Sequence, residues 1–254
     1  MLSLDLSGQV ALVTGAAQGI GFAIAAVLRD CGARLVVNDL HPEDAARAAT
    51  ALGAQALAVA GDVSDAADSA AVIARGLGAA GRLDILVNNA GVAARMRRTV
   101  DQSSADWQRT IDVNVRGTFL MSRAAAQHFT TVRAGCIVNI ASVAGLGAIP
   151  ASNDYSVSKA AVIMMTRTMA AELGRTGIRV NCVAPGFCDA PMLHDLLQGD
   201  EAAAEGARRR IPLGRFGEPV EIGHAVAFLC SDLARYMTGA VVAVDGGWLA
   251  NGGA

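Results

Sequence analysis

The sequence predicts an α/β fold: a doubly wound parallel sheet of about seven strands with helices on both faces, in a single domain over residues 1–254. Three observations carry this. Short apolar runs alternate along the chain with longer helical stretches, the pattern of parallel strands joined by crossover helices. Two stretches carry no charge, Leu6 to Leu28 over 23 positions and Ala134 to Asn153 over 20, yet four glycines interrupt the first, and three glycines and Pro150 the second. A membrane span resists such interruptions, whereas a strand covered on both faces shows a continuous apolar run, so both stretches read as buried strands with their loops. Finally, 53% of the 254 residues are hydrophobic but only 4% aromatic, which suits a large core of Ala, Val, Leu and Ile.

In order, strands are expected near 9–14, 34–39, 55–60, 84–88, 135–141, 178–184 and 240–244, with helices between them. No internal repeat, low-complexity tract or linker divides the chain. From Gly186 to Leu213 the character changes: Pro191 and Pro212 bracket a polar, alanine-rich helical stretch with little obvious core. The net charge of −2 gives no overall attraction for nucleic acid or an anionic membrane, and the short run Arg208 to Arg210 reads as a solvated helix face. The N-terminus lacks a basic segment followed by an apolar signal core. Cys31, Cys136, Cys182, Cys188 and Cys230 are odd in number and show no C-x-x-C spacing, which fits reduced thiols in the cytoplasm. Neither they nor His41, His128, His194 and His224 form a metal signature, so no metal is expected.

Chemistry begins at the first strand. Gln9 to Val13 is short and apolar, Thr14 to Gly21 is glycine-rich, and Phe22 to Leu28 continues as an apolar helix. Strand, glycine loop and helix form a phosphate-binding arrangement: glycine lets the backbone approach a pyrophosphate while free N–H groups at the helix start point at the anion. Here Gly15, Gly19 and Gly21 depart from the G-x-G-x-x-G spacing. A methyltransferase or flavoprotein loop, or a tight turn that binds nothing, would look the same at this point. The second strand ends in Asp39, eighteen positions after Gly21. In a Rossmann-like βαβ unit a carboxylate there accepts hydrogen bonds from the adenosine ribose and repels a 2′-phosphate, which favours NAD over NADP. Gln18 and Leu40 agree, since neither offers a cation to a phosphate. The alternative is that Asp39 merely opens a turn with His41 and Pro42.

Tyr155 stands four residues ahead of Lys159, and Ser142 lies thirteen residues upstream of Tyr155 at the end of an apolar run. Positions i and i+4 share a helix face, so a phenol and an ammonium project together toward what the preceding strand presents. An ammonium beside a phenol favours the phenolate, lowering a reference pKa of about 10 toward working pH, as a general base for an alcohol requires.

These residues resemble the short-chain dehydrogenase/reductase family in its compact, single-domain branch. The resemblance runs from about Leu6 to Trp248 through Thr14 to Gly21, Asp62 with Val63, Asn88 to Gly91, Asn114, Ser142, Tyr155 with Lys159, and Pro185 with Gly186. It implies that Gly15, Gln18, Gly19, Ile20, Gly21 and Asp39 hold the NAD cofactor and that Asp62 and Val63 line its adenine pocket. The stretch containing Asn89, Ala90 and Gly91 steadies the sheet beside it, while Pro185, Gly186 and Cys188 flank the nicotinamide. Four catalytic roles follow: Tyr155 as acid/base, Lys159 lowering its pKa and holding the nicotinamide ribose, Ser142 binding the substrate oxygen, and Asn114 supporting a water-linked proton relay. One departure stands out, for where the family places a threonine four residues past the motif glycine this chain has Ala190. The resemblance makes the 187–213 stretch a substrate lid and the protein a homo-oligomer, most simply a tetramer.

The expected activity is interconversion of a secondary alcohol and a ketone with NAD(H), on a small polar molecule such as a polyol or hydroxy acid. The resemblance implies as candidate lining residues Val92 to Met96, Val143, Ala144, Ser152, Phe187 and Leu193 to Leu197. A 3-oxoacyl-thioester reductase is the main alternative, but the basic residue it commonly carries near Ala171 is missing. A non-catalytic dinucleotide sensor would not need Ser142, Tyr155 and Lys159 together, and an epimerase or dehydratase relative would need a further substrate domain. Arg95, Arg97 and Arg98 follow the Asn88 to Gly91 motif, where loops border the ligand crevice, so one guanidinium facing an anionic substrate competes with a solvated loop paired to Asp101. From Ala160 to Leu173, Val162, Ile163, Met165, Met169 and Leu173 spread over more than one helix face, which suggests an oligomer contact.

Overall fold

The computed structural model describes residues 4–251. A seven-stranded parallel sheet has the order β3-β2-β1-β4-β5-β6-β7. Its strands are β1 (Val10–Thr14), β2 (Arg34–Asp39), β3 (Leu57–Ala60), β4 (Ile85–Asn88), β5 (Gly135–Ile140), β6 (Ile178–Pro185) and β7 (Val241–Val244). Each falls within about two residues of the sequence expectation, because apolar runs covered on both faces leave little choice of register.

Period-two alternation divides β1 between two cores. Ala11 and Val13 face α1 (Gly19–Asp30), α2 (Pro42–Leu52) and α9 (Pro219–Cys230); Val10 and Leu12 face α3 (Ala66–Ala80), α5 (Thr118–Val132) and α6 (Asn153–Leu173). The remaining helices are α4 (Ser104–Ile111), α7 (Pro191–Leu197) and α8 (Glu201–Arg209). A π-helical turn, Asp112–Gly117, joins α4 to α5. Helix ends follow local chemistry: Asp65 caps α3 by accepting from Ala67 N and Asp68 N, and Gly81 closes it in a left-handed conformation at φ +80°.

The chain reverses direction across the sheet between β1 and β4, so their carboxyl ends part and leave a crevice there. Glycine loop, Asn89 and the start of α1 all meet at this point. No helix among the described residues is long and apolar enough to cross a membrane.

Two expectations change. The stretch after Gly186 is two short helices, separated where Gln198 and Gly199 adopt positive φ, and it does contribute core through Leu193, Ala204 and Ile211. On α6, Val162 and Ile163 are buried in the chain's own core and Met169 and Leu173 pack against it. The exposed apolar surface is instead Val157 and Met164 of α6, with Phe119 of α5.

Candidate active site

The glycine loop is shaped by close approach. Gly15 and Gly19 take φ of +59° and +56°, in the region that glycine alone enters without strain. A Cβ on Gly21 would lie 2.2 Å from the Gly15 carbonyl oxygen and 2.4 Å from Asn89 Nδ2, so that position admits no side chain. Asn89 is the brace: its Nδ2 donates to the carbonyls of Thr14 (2.9 Å) and Gly15 (3.0 Å), while Thr14 Oγ1 accepts from the backbone N–H of Asn89 and of Ala90, both at 3.0 Å. Gln18 precedes α1 in an extended conformation and supplies no side-chain cap. The first N–H groups of α1, from Gly19 through Ile20 and Gly21, are thus left for an external acceptor. That uncapped end beside positive-φ glycines fits a pyrophosphate.

Asp39 sits at the end of β2, and its two oxygens accept from Ala17 N (3.0 Å) and Leu40 N (2.9 Å). The carboxylate therefore grips the glycine loop rather than opening an isolated turn. After β3, Asp62 Oδ1 accepts from the N–H (2.8 Å) and hydroxyl (2.8 Å) of Ser64, and Val63 is buried against Gly117.

On the far side of β4, Asn88 Nδ2 donates to Ser122 Oγ (2.7 Å) and Asn139 Oδ1 (2.8 Å), and Asn139 Nδ2 donates to Thr166 Oγ1 (2.8 Å). All four residues are buried, and breaking such a chain costs about 1–3 kcal/mol for each polar group left unpaired.

Lys159 and Tyr155 come from the first two turns of α6, and Ser142 from the end of the β5 run. Lys159 is buried; its Nζ donates to the Ile140 carbonyl at 2.9 Å and lies 5.5 Å from the centre of the Tyr155 ring. Burial holds the ammonium down at about 8, a drop only partly offset by Cys182. Burial also pushes the Tyr155 phenol up to about 12, against the opposing pull of its hydrogen bond with Ser142. This changes the sign of the sequence expectation: in the protein alone burial raises the phenol, and the ammonium 5.5 Å from its ring does not bring it below the ordinary value. Ser142 Oγ accepts from Ala144 N at 3.1 Å, which fixes its rotamer.

Asn114 is fully buried on the π-helical turn, a feature that concentrates at functional sites. Its Oδ1 accepts from Val92 N (2.8 Å) and its Nδ2 donates to Val92 O (2.9 Å) and Ser158 Oγ (3.0 Å). It reaches the others by two routes: through Ser158, whose Oγ donates to the Tyr155 carbonyl at 2.7 Å, and past Gly91, where the point a Cβ would occupy lies 3.2 Å from Asn114 Oδ1 and 3.4 Å from Lys159 Nζ.

Pro185 ends β6, and Gly186 passes so close to Asp245 that a Cβ would stand 2.7 Å from its Cα. Cys188 and Ala190 are buried, and the Pro191 ring packs within 3.2 Å of the position a Gly19 Cβ would take. Beyond them Val143, Phe187, Ile211 and Trp248 form an apolar wall. Of the three arginines, Arg98 is bound to Asp101 at 3.0 Å. Arg97 is stapled by its N–H to the Ala151 carbonyl (2.9 Å) and pairs in a β-bridge with Ser152; Arg95 is exposed.

Sequence reasoning missed two sets of residues. Asn139 was visible as a lone amide in the apolar strand Gly135–Ile140, where burial obliges it to find partners. Asp154, beside Tyr155, is buried and bonded to Gln102 and Thr110, and only its position next to the tyrosine hinted at it.

Residues 15–249 match the family described as enoyl-(acyl carrier protein) reductase. The chain is 41% identical over 244 residues to cis-4-hydroxycyclohexanecarboxylate dehydrogenase of Sinomonas cyclohexanicum, covering 95% of this chain and 97% of that one. It is 40% identical over 247 residues to a 3-oxoacyl-(acyl-carrier-protein) reductase of Thermotoga maritima, covering 96% and 99%. Among solved structures, the 3-ketoacyl-(acyl-carrier-protein) reductase of Brucella melitensis complexed with NADH superposes with a TM-score of 0.90 at 36% identity, over 96% of this chain and 99% of that one.

Proposed function

Since the chain belongs to the short-chain dehydrogenase/reductase family and is an oxidoreductase acting on hydroxyl groups, we propose that it interconverts a secondary alcohol and a ketone with NAD(H), and that Tyr155 is the acid/base. The observation that carries this reading is the convergence of Ser142, Tyr155 and Lys159 at the carboxyl edge of the sheet that also bears the uncapped glycine loop.

Gly15, Gln18, Gly19, Ile20 and Gly21 would hold the pyrophosphate, Asp39 the adenosine ribose, Asp62 and Val63 the adenine, and Asn89, Ala90, Gly91, Pro185, Gly186 and Cys188 the nicotinamide half. A bound NAD(H) would supply the hydride acceptor for oxidation of the carbinol carbon and the donor for reduction of the carbonyl. Ser142 positions the substrate oxygen, Tyr155 takes or gives the hydroxyl proton, Lys159 binds the ribose and stabilises the phenolate, and Asn114 supports the relay that carries the proton to water. Asp39 favours NAD, because its carboxylate already spans the loop where a 2′-phosphate would sit. Residues 187–213 act as a lid that excludes water from this chemistry.

The substrate is a small polar alcohol, with a hydroxy acid favoured over a polyol because Arg97 is docked beside the start of α6. The carboxylate in the name of the Sinomonas relative's substrate supports that choice. The thioester reading draws on the Thermotoga relative, but position 171 offers an alanine where a carrier protein's acidic face would need a cation. The five free cysteines suit a reducing cytoplasm, and Phe119, Val157 and Met164 are the surface on which a tetramer would be built.

Incubation with NAD and a panel of secondary alcohols, hydroxy acids, polyols and 3-hydroxyacyl thioesters, followed by NADH absorbance, tests the proposal. Turnover concentrated on hydroxy acids supports it, turnover on thioesters alone moves the assignment to the second reading, and none on any member overturns both.

A further inference from the structure

We infer that Asp154 is the positioning residue for Tyr155: its buried carboxylate, held by side chains from the neighbouring layer, fixes the first turn of α6 and with it the phenol. The inference rests on the assignment of Tyr155 as acid/base. Asp154 is only 2% exposed, and two uncharged donors hold it, Gln102 Nε2 on Oδ1 at 2.6 Å and Thr110 Oγ1 on Oδ2 at 2.7 Å. The preceding residue is held as well, since Trp107 Nε1 donates to Asn153 Oδ1 at 3.1 Å.

These contacts stand where a helix cap would. Ser152, at the N-cap of α6, makes no side-chain cap hydrogen bond, so the first turn would otherwise be free to fray. A carboxylate in the first turn usually lies in solvent and favours the helix end by its charge alone. Here it is taken out of water instead, at a desolvation cost that only good hydrogen bonds offset. Tyr155 is the next residue, and misplacing a reacting group by about 1 Å can cost on the order of 10²-fold in rate. Gln102 follows the short helical turn Thr99–Asp101, itself just beyond the stapled Arg97, so the clamp also ties the loop bordering the substrate crevice to the helix that carries the base.

The chain holds two tyrosines, Tyr155 and the fully exposed Tyr236, which gives a readout independent of activity. Tyrosinate absorbance at pH 11, with circular dichroism to confirm the fold, is measured for the wild type, Asp154→Ala, Asp154→Asn and Tyr155→Phe. Burial raises the half-buried Tyr155 phenol in the wild type; in Asp154→Ala the loosened turn admits more water and the tyrosinate absorbance rises. Asp154→Asn suppresses it, because Gln102 and Thr110 can each turn to accept from the new amide. In steady-state kinetics with the best alcohol of the panel, Asp154→Ala lowers kcat by about tenfold, with KM and the NADH Kd within about threefold, a loss of transition-state positioning rather than binding. Its primary deuterium isotope effect on kcat rises, and Asp154→Asn recovers most of the rate. Should Asp154→Ala fail to fold, Gln102→Leu, which removes one of the two donors, shows the same pattern at smaller amplitude. Unchanged tyrosinate absorbance with unchanged kcat in the folded variant, or a loss that Asp154→Asn does not relieve, overturns the clamp. If Tyr155→Phe keeps its turnover, the acid/base assignment falls first and the clamp's role falls with it. If Tyr155→Phe is inactive while Asp154→Ala is normal, the clamp alone is refuted.

Discussion

Around the glycine loop, geometry is set by backbone and by half-buried side chains bound to it, whereas on the substrate side it is set by exposed side chains and short helices. The side chains of Asn89 and Asp39 bind main-chain atoms of the loop, and a Cβ on Gly15 or Gly21 would collide with neighbouring backbone. Across the crevice, Arg98 pairs with Asp101 and the His194 ring hydrogen-bonds Asp189, both at the exposed surface, and α7 spans seven residues. Exposed pairs contribute about 0–1 kcal/mol each, too little to hold one geometry against solvent. The first region is thus preorganised for one ligand, while the second is free to vary with the substrate. Tyr155 stands on the border, with Lys159 and Ser142 on one side of it and the Gln102–Asp154 clamp on the other.

The sharpest break in that border is Tyr155→Phe, which keeps the ring but removes the exchangeable proton. Turnover falls by roughly 10² or more while NADH binding, read by fluorescence, persists. The pH profile adds a sign. Alcohol oxidation needs the phenolate and so rises with pH, while carbonyl reduction needs the phenol and falls. Burial raises Tyr155 and lowers Lys159, so a limb in kcat/KM at saturating NAD that falls near neutral pH would mark the positive charge of bound NAD drawing the phenol down. A Phe variant with near-normal turnover would remove Tyr155 from the chemistry.

A smaller effect belongs to the cofactor side. Asp39→Ala narrows the ratio of kcat/KM for NAD over NADP by about tenfold or more, chiefly by losing discrimination against the 2′-phosphate, with little change in kcat for NAD. Equal use of both cofactors by the wild type would show that the grip on Ala17 and Leu40 is structural only.

The same contrast explains what the sequence made legible. The strands, the glycine loop and the Asn88 to Gly91 motif could be read because each satisfies a steric rule with few solutions: a doubly covered strand must be apolar, and Gly21 can have no Cβ. The direction of the Tyr155 shift could not be read, because i,i+4 spacing reports the neighbouring ammonium but not how completely both groups are enclosed. Asp154 escaped for a related reason, since its partners Gln102 and Thr110 lie more than forty residues upstream and only the packing of α4 against α6 unites them. The oligomer argument from α6 went astray because helical periodicity does not say which apolar stripe the chain's own sheet will take; Val162 and Ile163 went inside, and Met164 stayed out.

The substrate side offers the smallest expected effect and the finest test of the comparison. Arg98 is occupied by Asp101, and for the anionic substrate proposed above we assign the grip to Arg97, whose backbone is fixed while its side chain is exposed. The acceptor of that backbone bond, Ala151, adopts φ +62°, a left-handed conformation that costs a non-glycine residue about 1 kcal/mol or more. Arg97 therefore stands at a place held against local preference, paired with Ser152 three residues before Tyr155. Arg97→Met should raise KM for a hydroxy acid by about tenfold, equivalent to roughly 1.4 kcal/mol of lost binding, and leave the neutral diol analogue within about twofold. The charged substrate should also lose affinity as salt rises, because an exposed guanidinium is screened, whereas NADH affinity should fall off less steeply, its pyrophosphate being met by helix N–H groups. Equal losses for acid and diol, or none for either, would return Arg97 to the solvated surface and leave the substrate's polar end to be held by neutral donors.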